Sequence, residues 1–183
     1  KSTVARMFER AGVPVFDADS VVRQLQAPGG PLVEKIGAIF PGCVRSGTLD
    51  RDCLAEIVLA DKARLAELER IVHPAVREAR ESFVREHQGS PALLFEIPLL
   101  FETGGEGEFD KVVVVSAPPE VQRARVLERP GMTASRLDSI LARQMPDAEK
   151  RARADIVIDN TDLSTTQKQV RDILACLGIE PGE

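Results

Sequence analysis

At 183 residues the chain holds about one typical domain with embellishments, and 43% hydrophobic with 29% charged residues disfavours disorder. No apolar run approaches the roughly 18 residues that a membrane span needs. A net charge of -5, with seven Phe and neither Trp nor Tyr, lacks the basic surface and stacking aromatics of a nucleic-acid binder. Cys43, Cys53 and Cys176 form no CxxC pair and leave an odd count, which argues against a disulfide framework or a zinc site. With no basic-then-apolar leader at the start, the expectation is a cytoplasmic protein without membrane or nucleic-acid partners. Its oligomeric state is left open.

The charge is uneven. Residues 123–153 hold eight Lys or Arg against four acids, a local balance of +4 that leaves -9 for the remainder. Such an island suits a small polyanionic ligand, because the local field attracts phosphate while the rest of the surface repels long nucleic acid. A solvated helix face would give the same count.

Lys1-Ser2-Thr3 runs straight into apolar spacing at Val4, Met7, Phe8 and Ala11, which predicts a helix over 4–11 stopped by Gly12. Those three residues match the end of the phosphate-binding loop G-x-x-x-x-G-K-[ST]. In that loop backbone N–H groups and a helix N-terminus hold the phosphates, the lysine neutralises the outer ones and the hydroxyl binds Mg²⁺. Lys-Ser-Thr by itself also arises by chance. As the tail of such a loop, it implies a hydrophobic strand and the glycines upstream of Lys1. That strand is expected in the middle of the sheet, where its neighbours' backbone groups need a partner.

Val13-Pro14-Val15-Phe16 predicts a brief buried strand, with Pro14 near its start where a missing N–H is tolerated. It ends in Asp17-Ala18-Asp19, at the carboxyl end of a strand, where ligands bind in open parallel sheets. Asp19 there could take the proton of an alcohol or orient its hydroxyl during phosphoryl transfer. It could also simply cap a helix over 20–26, and Asp17 reads as structural or as an outer partner of a metal.

Residues 27–88 show helical periodicity and no convincing strand, as an inserted helical subdomain would. Leu65, Leu68, Val72, Val76, Ala79 and Phe83 step by three or four, the stripe of a core-facing helix. His73-Pro74 interrupts the stripe and predicts one helix ending near Val72 and another starting at Pro74. His73 on its own reads as structural, and His87 carries no signal. Pro28-Gly29-Gly30-Pro31 and Gly104-Gly105-Glu106-Gly107 mark turns or loops.

Short apolar runs at 92–95 and 112–115 read as buried parallel strands, and 156–158 is a further one. Their alternation with helical stretches predicts a parallel α/β sheet. Arg129, Arg136 and Arg143 recur every seven residues, and Pro130-Gly131 hinges a helix beginning near Thr133, so Arg136 and Arg143 are expected on one helix face. A hinged segment of this kind suits a lid that closes over a nucleotide and sets guanidinium groups against phosphate oxygens. An exposed charged helix is the other reading.

Together Lys1-Ser2-Thr3-Val4-Ala5, Asp17-Ala18-Asp19 with Arg23, His73-Pro74, Pro98-Leu99-Leu100-Phe101-Glu102, Arg143-Gln144 and Asp155-Ile156-Val157-Ile158-Asp159-Asn160 make the chain resemble the dephospho-CoA kinase family over essentially its whole length. The resemblance implies an α/β P-loop kinase fold, a three-layer sandwich on a five-stranded parallel core, with a helical substrate-binding insert and a lid. The implied domains are a nucleotide-binding core over 1–27 and 89–183, an acceptor-binding insert over 28–88 and a lid over 128–150. The implied reaction moves the γ-phosphate of ATP to the 3′-hydroxyl of dephospho-CoA, with Mg²⁺. Lys1 would contact the β- and γ-phosphates, with Ser2 on Mg²⁺ and Thr3 beside them. Asp19 would be the catalytic carboxylate. Arg23 and His73 would lie on the acceptor side, and Pro98 and Leu99 would line the acceptor pocket. Arg143 would meet the ATP phosphates, and Asn160 would sit by the adenine. The glycines of the loop do not stand ahead of Lys1 here, so weak ATP binding is expected of this stretch by itself. Pro130-Gly131 stands where the family often has an acidic residue, which leaves Arg129 without an assigned role. Another small-molecule P-loop kinase, such as a nucleoside monophosphate kinase, is the nearest alternative, although the long insert speaks against it. A non-catalytic nucleotide-binding protein is the other, and it would have no use for Asp19.

Overall fold

The structure is a computed structural model that describes residues 1–142 and 144–180. Its elements in chain order are α1 (Ser2–Arg10), β1 (Val15–Asp17), α2 (Ala18–Leu25), α3 (Val33–Ile39), β2 (Val44–Arg45), β3 (Thr48–Leu49), α4 (Arg51–Ala60), α5 (Lys62–Glu86), β4 (Leu94–Glu96), β5 (Val113–Ser116), α6 (Pro119–Leu127), α7 (Ala134–Leu141), α8 (Asp147–Arg153), β6 (Ile156–Asp159) and α9 (Leu163–Cys176). The chain divides into two compact units, Lys1–Val15 with Ile97–Glu183, and Phe16–Glu96. Among the described residues no helix is long and apolar enough to cross a membrane.

In the first unit β5 and β6 pair in parallel, with Val113 opposite Ile156 and Ser116 opposite Asp159. The pairing continues one residue further, where the Asn160 N–H donates to the Ser116 carbonyl at 2.7 Å. Asp155 fixes the other end: its carboxylate accepts the Val112 N–H at 2.8 Å and the Lys111 ammonium at 3.1 Å. The Val112 bond first, then that of Lys111, holds its carboxyl below the ordinary range against a smaller opposing effect of burial. Helix α1 buries Val4, Ala5 and Phe8 and packs against α9, whose buried Thr166, Val170 and Leu174 recur every four residues. Gly12, at φ 84°, turns the chain out of α1 in a conformation that a side chain would resist.

The second unit has two cores. Strands β1 and β4 pair, and Phe16 of β1 meets Phe83 and Phe95 with ring centroids 5.4 and 5.7 Å apart. Leu32, Ile36, Phe40, Cys43, Leu49, Leu54 and Val58 form the other, with Leu68, Ile71, Val72 and Ala75 of α5 packed on it. The turn at Gly29-Gly30 is required sterically. Gly29 has φ 75°, and a Cβ on Gly30 would lie 2.5 Å from the Leu25 carbonyl oxygen.

Five expectations are corrected. Helix α5 runs unbroken from Lys62 to Glu86 with Pro74 inside it. Proline removes one helical hydrogen bond and crowds the preceding turn, but Leu68, Ile71 and Val72 before it and Ala75 after it pack against the same core, which holds both halves in one helix. The stripe is also shifted, since Leu65 is exposed and Ile71 packs inward. The region 27–88 contains a small antiparallel hairpin, β2–β3, pairing Val44 with Leu49. Two-residue strands are too short to show alternation, and the only signal was Ser46-Gly47 at positive φ.

Cys43 and Cys53 are joined in a disulfide, and Cys176 is the free and exposed one. The hairpin brings the end of α3's following turn against the first turn of α4, so two cysteines ten positions apart have Cα atoms 5.5 Å from each other. An odd count excluded a fully paired set but not a single bridge. Alkylation of the denatured, unreduced protein is therefore expected to label Cys176 alone, and reduction should expose the other two. Three labels without reductant would show that the bridge is absent.

The family resemblance implies a five-stranded parallel core. The described residues instead give two separate pairs, β1–β4 and β5–β6, besides the hairpin.

Candidate active site

Residues named for the site fall in both units. Lys1, Ser2, Thr3, Pro98, Leu99 and Asn160 belong to the first, and Asp19, Arg23 and His73 to the second. Arg143 lies outside the described residues.

Lys1 is the N-cap of α1, with its carbonyl accepting the Ala5 N–H at 3.1 Å and no capping bond from its side chain. Lys1, Ser2 and Thr3 are all exposed. The helix therefore sets its positive dipole end beside a lysine and two hydroxyls. Helix starts of this kind favour an anion.

In the second unit the cap of α2 is Asp17, whose Oδ1 accepts the Ser20 N–H at 3.0 Å. The helix begins at Ala18, so Asp19 sits inside its first turn and is exposed. The capping alternative for Asp19 is thereby ruled out in favour of Asp17. Arg23 lies one turn further along, with its guanidinium 3.8 Å from Asp17 Oδ2. Both partners are well exposed, so that pair contributes little to stability. The Arg23 carbonyl accepts from the Arg51 guanidinium at 3.1 Å, which ties α2 to α4. His73 is exposed in the middle of α5.

Pro98 and Leu99 lie in the turn that follows β4, where Leu99 is 43% exposed. Two residues on, Phe101 is buried with Val112 and Val114. This turn thus has an anchored end and an open end.

Asn160 follows β6 in a dense polar loop. Its Oδ1 lies 3.2 Å from the Thr166 hydroxyl, which is completely buried and also within 3.0 Å of the Asp159 carbonyl and 2.7 Å of that of Asp162. Asp162 caps α9 through the Thr165 N–H, and bonds from Thr165 and Ser164 hold its carboxyl down to about 2. The Arg125 guanidinium donates to the Asn160 and Thr161 carbonyls, so α6 fixes the same loop from outside. In the sequence Arg125 is legible only as one charge of the basic island. Thr166 carries no signal of its own, although Asp162 and Thr165 are spaced as a helix cap and point to a fixed loop there.

Residues 1–165 match the family model described as "CoaE: Dephospho-CoA kinase". The chain belongs to the dephospho-CoA kinase family. A dephospho-CoA kinase of Novosphingobium aromaticivorans is 52% identical over 178 residues, covering 97% of this chain and 89% of that protein. One of Rhizobium meliloti is 50% identical over 177 residues, covering 95% and 90%. Among solved structures, TT1252 from Thermus thermophilus superposes with a TM-score of 0.86 at 36% identity, over 96% of this chain and 91% of its own. A dephospho-CoA kinase from Campylobacter jejuni shares the fold at a TM-score of 0.64 and 23% identity, over 96% and 90%. The fold is that of an α/β P-loop kinase, and a dephospho-CoA kinase family member is an ATP-dependent phosphotransferase.

Proposed function

We propose that this chain transfers the γ-phosphate of ATP to the 3′-hydroxyl of dephospho-CoA, giving coenzyme A and ADP. The family match over residues 1–165 supports this, and one structural observation carries the choice of catalytic group: Asp17 does the capping of α2. Asp19 is then available to the acceptor. Its carboxylate takes the proton of the attacking hydroxyl as the oxygen bonds to the γ-phosphorus, and the β–γ bridging oxygen leaves with ADP. Lys1 neutralises the charge on the β- and γ-phosphates, and Thr3 stands beside it at the start of α1. Arg143 adds its guanidinium to the same phosphates. Asn160, held by Thr166 and Arg125, borders the adenine. Arg23 and His73 of one unit, and Pro98 and Leu99 of the other, are the residues assigned to the acceptor.

Mg²⁺ suits the donors present, because it prefers hard oxygen ligands and takes most of them from nucleotide phosphates and water. Ser2 would hold it through its hydroxyl. The metal would neutralise charge developing on the transferring group. The division of labour that goes with this reading is a nucleotide-binding core over 1–27 and 89–183, an acceptor insert over 28–88 and a lid over 128–150. The compartment is the cytoplasm, where the thiol pool would exchange with the Cys43–Cys53 bridge.

The test compares acceptors side by side, in protein carrying a glycine-rich loop ahead of Lys1. ATP-dependent phosphorylation of dephospho-CoA is expected, with no turnover of nucleoside monophosphates. Preference for a nucleoside monophosphate, or ATP binding with no acceptor, would overturn the proposal.

A further inference from the structure

The turn that carries Pro98 and Leu99 is not independent of the segment that follows α7. Glu102 Oε1 accepts the Met145 N–H at 2.8 Å and also meets the Lys150 ammonium at 2.8 Å. Both side chains are largely buried, at 15% and 18% exposure. One turn along α8, Arg153 pairs with Glu106 and lies over the Phe101 ring at 5.1 Å. Asp147, at the start of α8, accepts from the buried Ser116 hydroxyl at 2.7 Å. Met145 and Ala154 pack on the Phe101 core, so polar and apolar contacts dock the same element.

This arrangement leaves two carboxylate oxygens unsatisfied. Glu102 Oε2 and Glu106 Oε2 are buried without a hydrogen-bond partner among the described residues. Such an orphan costs stability, and an apolar contact would dock α8 without that cost. Burial acts to raise the Glu102 carboxyl, but the bonds from Lys150 and the Met145 N–H outweigh it and hold it below the ordinary range. Local rules broken in this way concentrate where a sequence serves function as well as folding. The bond that Glu102 accepts comes from a backbone N–H in the short link between α7 and α8.

We propose that Glu102 is a positioning residue of the phosphoryl transfer, tying the acceptor-side turn at Pro98 and Leu99 to the backbone at Met145, the root of the arm that contains α7. The proposal rests on the function given above, in which that turn borders the acceptor and Arg143, two residues before Met145, meets the phosphates. Lys150 sets the rotamer of Glu102. Glu102 touches neither substrate, and acts by fixing the distance between the acceptor-side turn and the arm root.

The test uses the full-length enzyme and three readouts: kcat, the two KM values and hydrogen exchange at the Met145 amide. Glu102→Ala is expected to lower kcat about tenfold or more, because small displacements of positioned groups are costly, while each KM moves less than about threefold. Its Met145 amide should lose protection. Glu102→Gln keeps an acceptor oxygen for that N–H and should recover protection and bring kcat to within about threefold of the parent enzyme. If Glu102→Ala fails to fold, Lys150→Met carries the test, with a loss of kcat and of Met145 protection expected. Unchanged kcat in Glu102→Ala, or in Lys150→Met where the alanine variant does not fold, would overturn the proposal. So would a Glu102→Gln variant as impaired as the alanine one while Met145 stays protected. Failure of the parent enzyme to phosphorylate dephospho-CoA would instead overturn the function, and the exchange readout would still report on the clamp.

Discussion

Asp19→Asn is expected to lower kcat by about 10² or more with little change in ATP affinity, because the amide keeps the shape of the side chain but cannot accept the acceptor's proton. The position of Asp19 makes this a clean experiment. It is exposed in the first turn of α2 and carries none of the capping of that helix. Loss of its charge at a helix N-terminus should cost stability only about 0.3–1 kcal/mol. Asp17, two residues earlier, is the matched control. Its Oδ1 holds the Ser20 N–H, so Asp17→Ala removes a cap and should cost about 1 kcal/mol. The two variants are expected to separate, one losing turnover and keeping its melting temperature, the other losing melting temperature first. Steady-state kinetics and thermal melts on both would show it. Near-normal turnover in Asp19→Asn would remove the carboxylate from the chemistry.

The same two aspartates show what was legible in the sequence and what was not. Asp17-Ala18-Asp19 after a short apolar run located a strand end and a carboxylate pair, and the structure places both there. Which aspartate caps could not be read, because either spacing permits an Asx bond and the choice depends on where the helix begins. Local signals worked where one residue decides the outcome. Thr133 caps α7, Gly12 ends α1, and the Pro-Gly-Gly-Pro turn needs its Gly30. They failed where packing of distant residues decides. Pro74 reads as a break, yet α5 continues through it because its flanking residues share one core. Cys43 and Cys53 carry no pairing motif, and only the β2–β3 hairpin brings them together. Glu102 was visible inside the Pro98–Glu102 motif but without a role, since its partners Met145 and Lys150 lie more than forty residues away.

Lys1 provides the second large effect. The residue stands at the N-terminus of α1, where the first N–H groups of a helix have no intrahelical acceptor and the dipole favours an anion. For the triphosphate of ATP the lysine adds a full charge to those partial ones. Removing one such preorganised donor should cost about 10² or more in turnover, so Lys1→Ala is expected to lower kcat/KM for ATP on that scale. Lys1→Arg should not restore it, because a planar fork replaces a compact point charge. Folding should change by about 1 kcal/mol or less, since Lys1 is exposed and exposed polar or ionic contacts contribute little. Ser2→Ala gives the complementary result. With the lysine retained, the loss should appear as a raised Mg²⁺ requirement rather than as a general failure to bind ATP. Isothermal titration with ATP across a Mg²⁺ series distinguishes the two, and a Lys1→Ala enzyme with unaltered ATP kinetics would detach the start of α1 from phosphate binding.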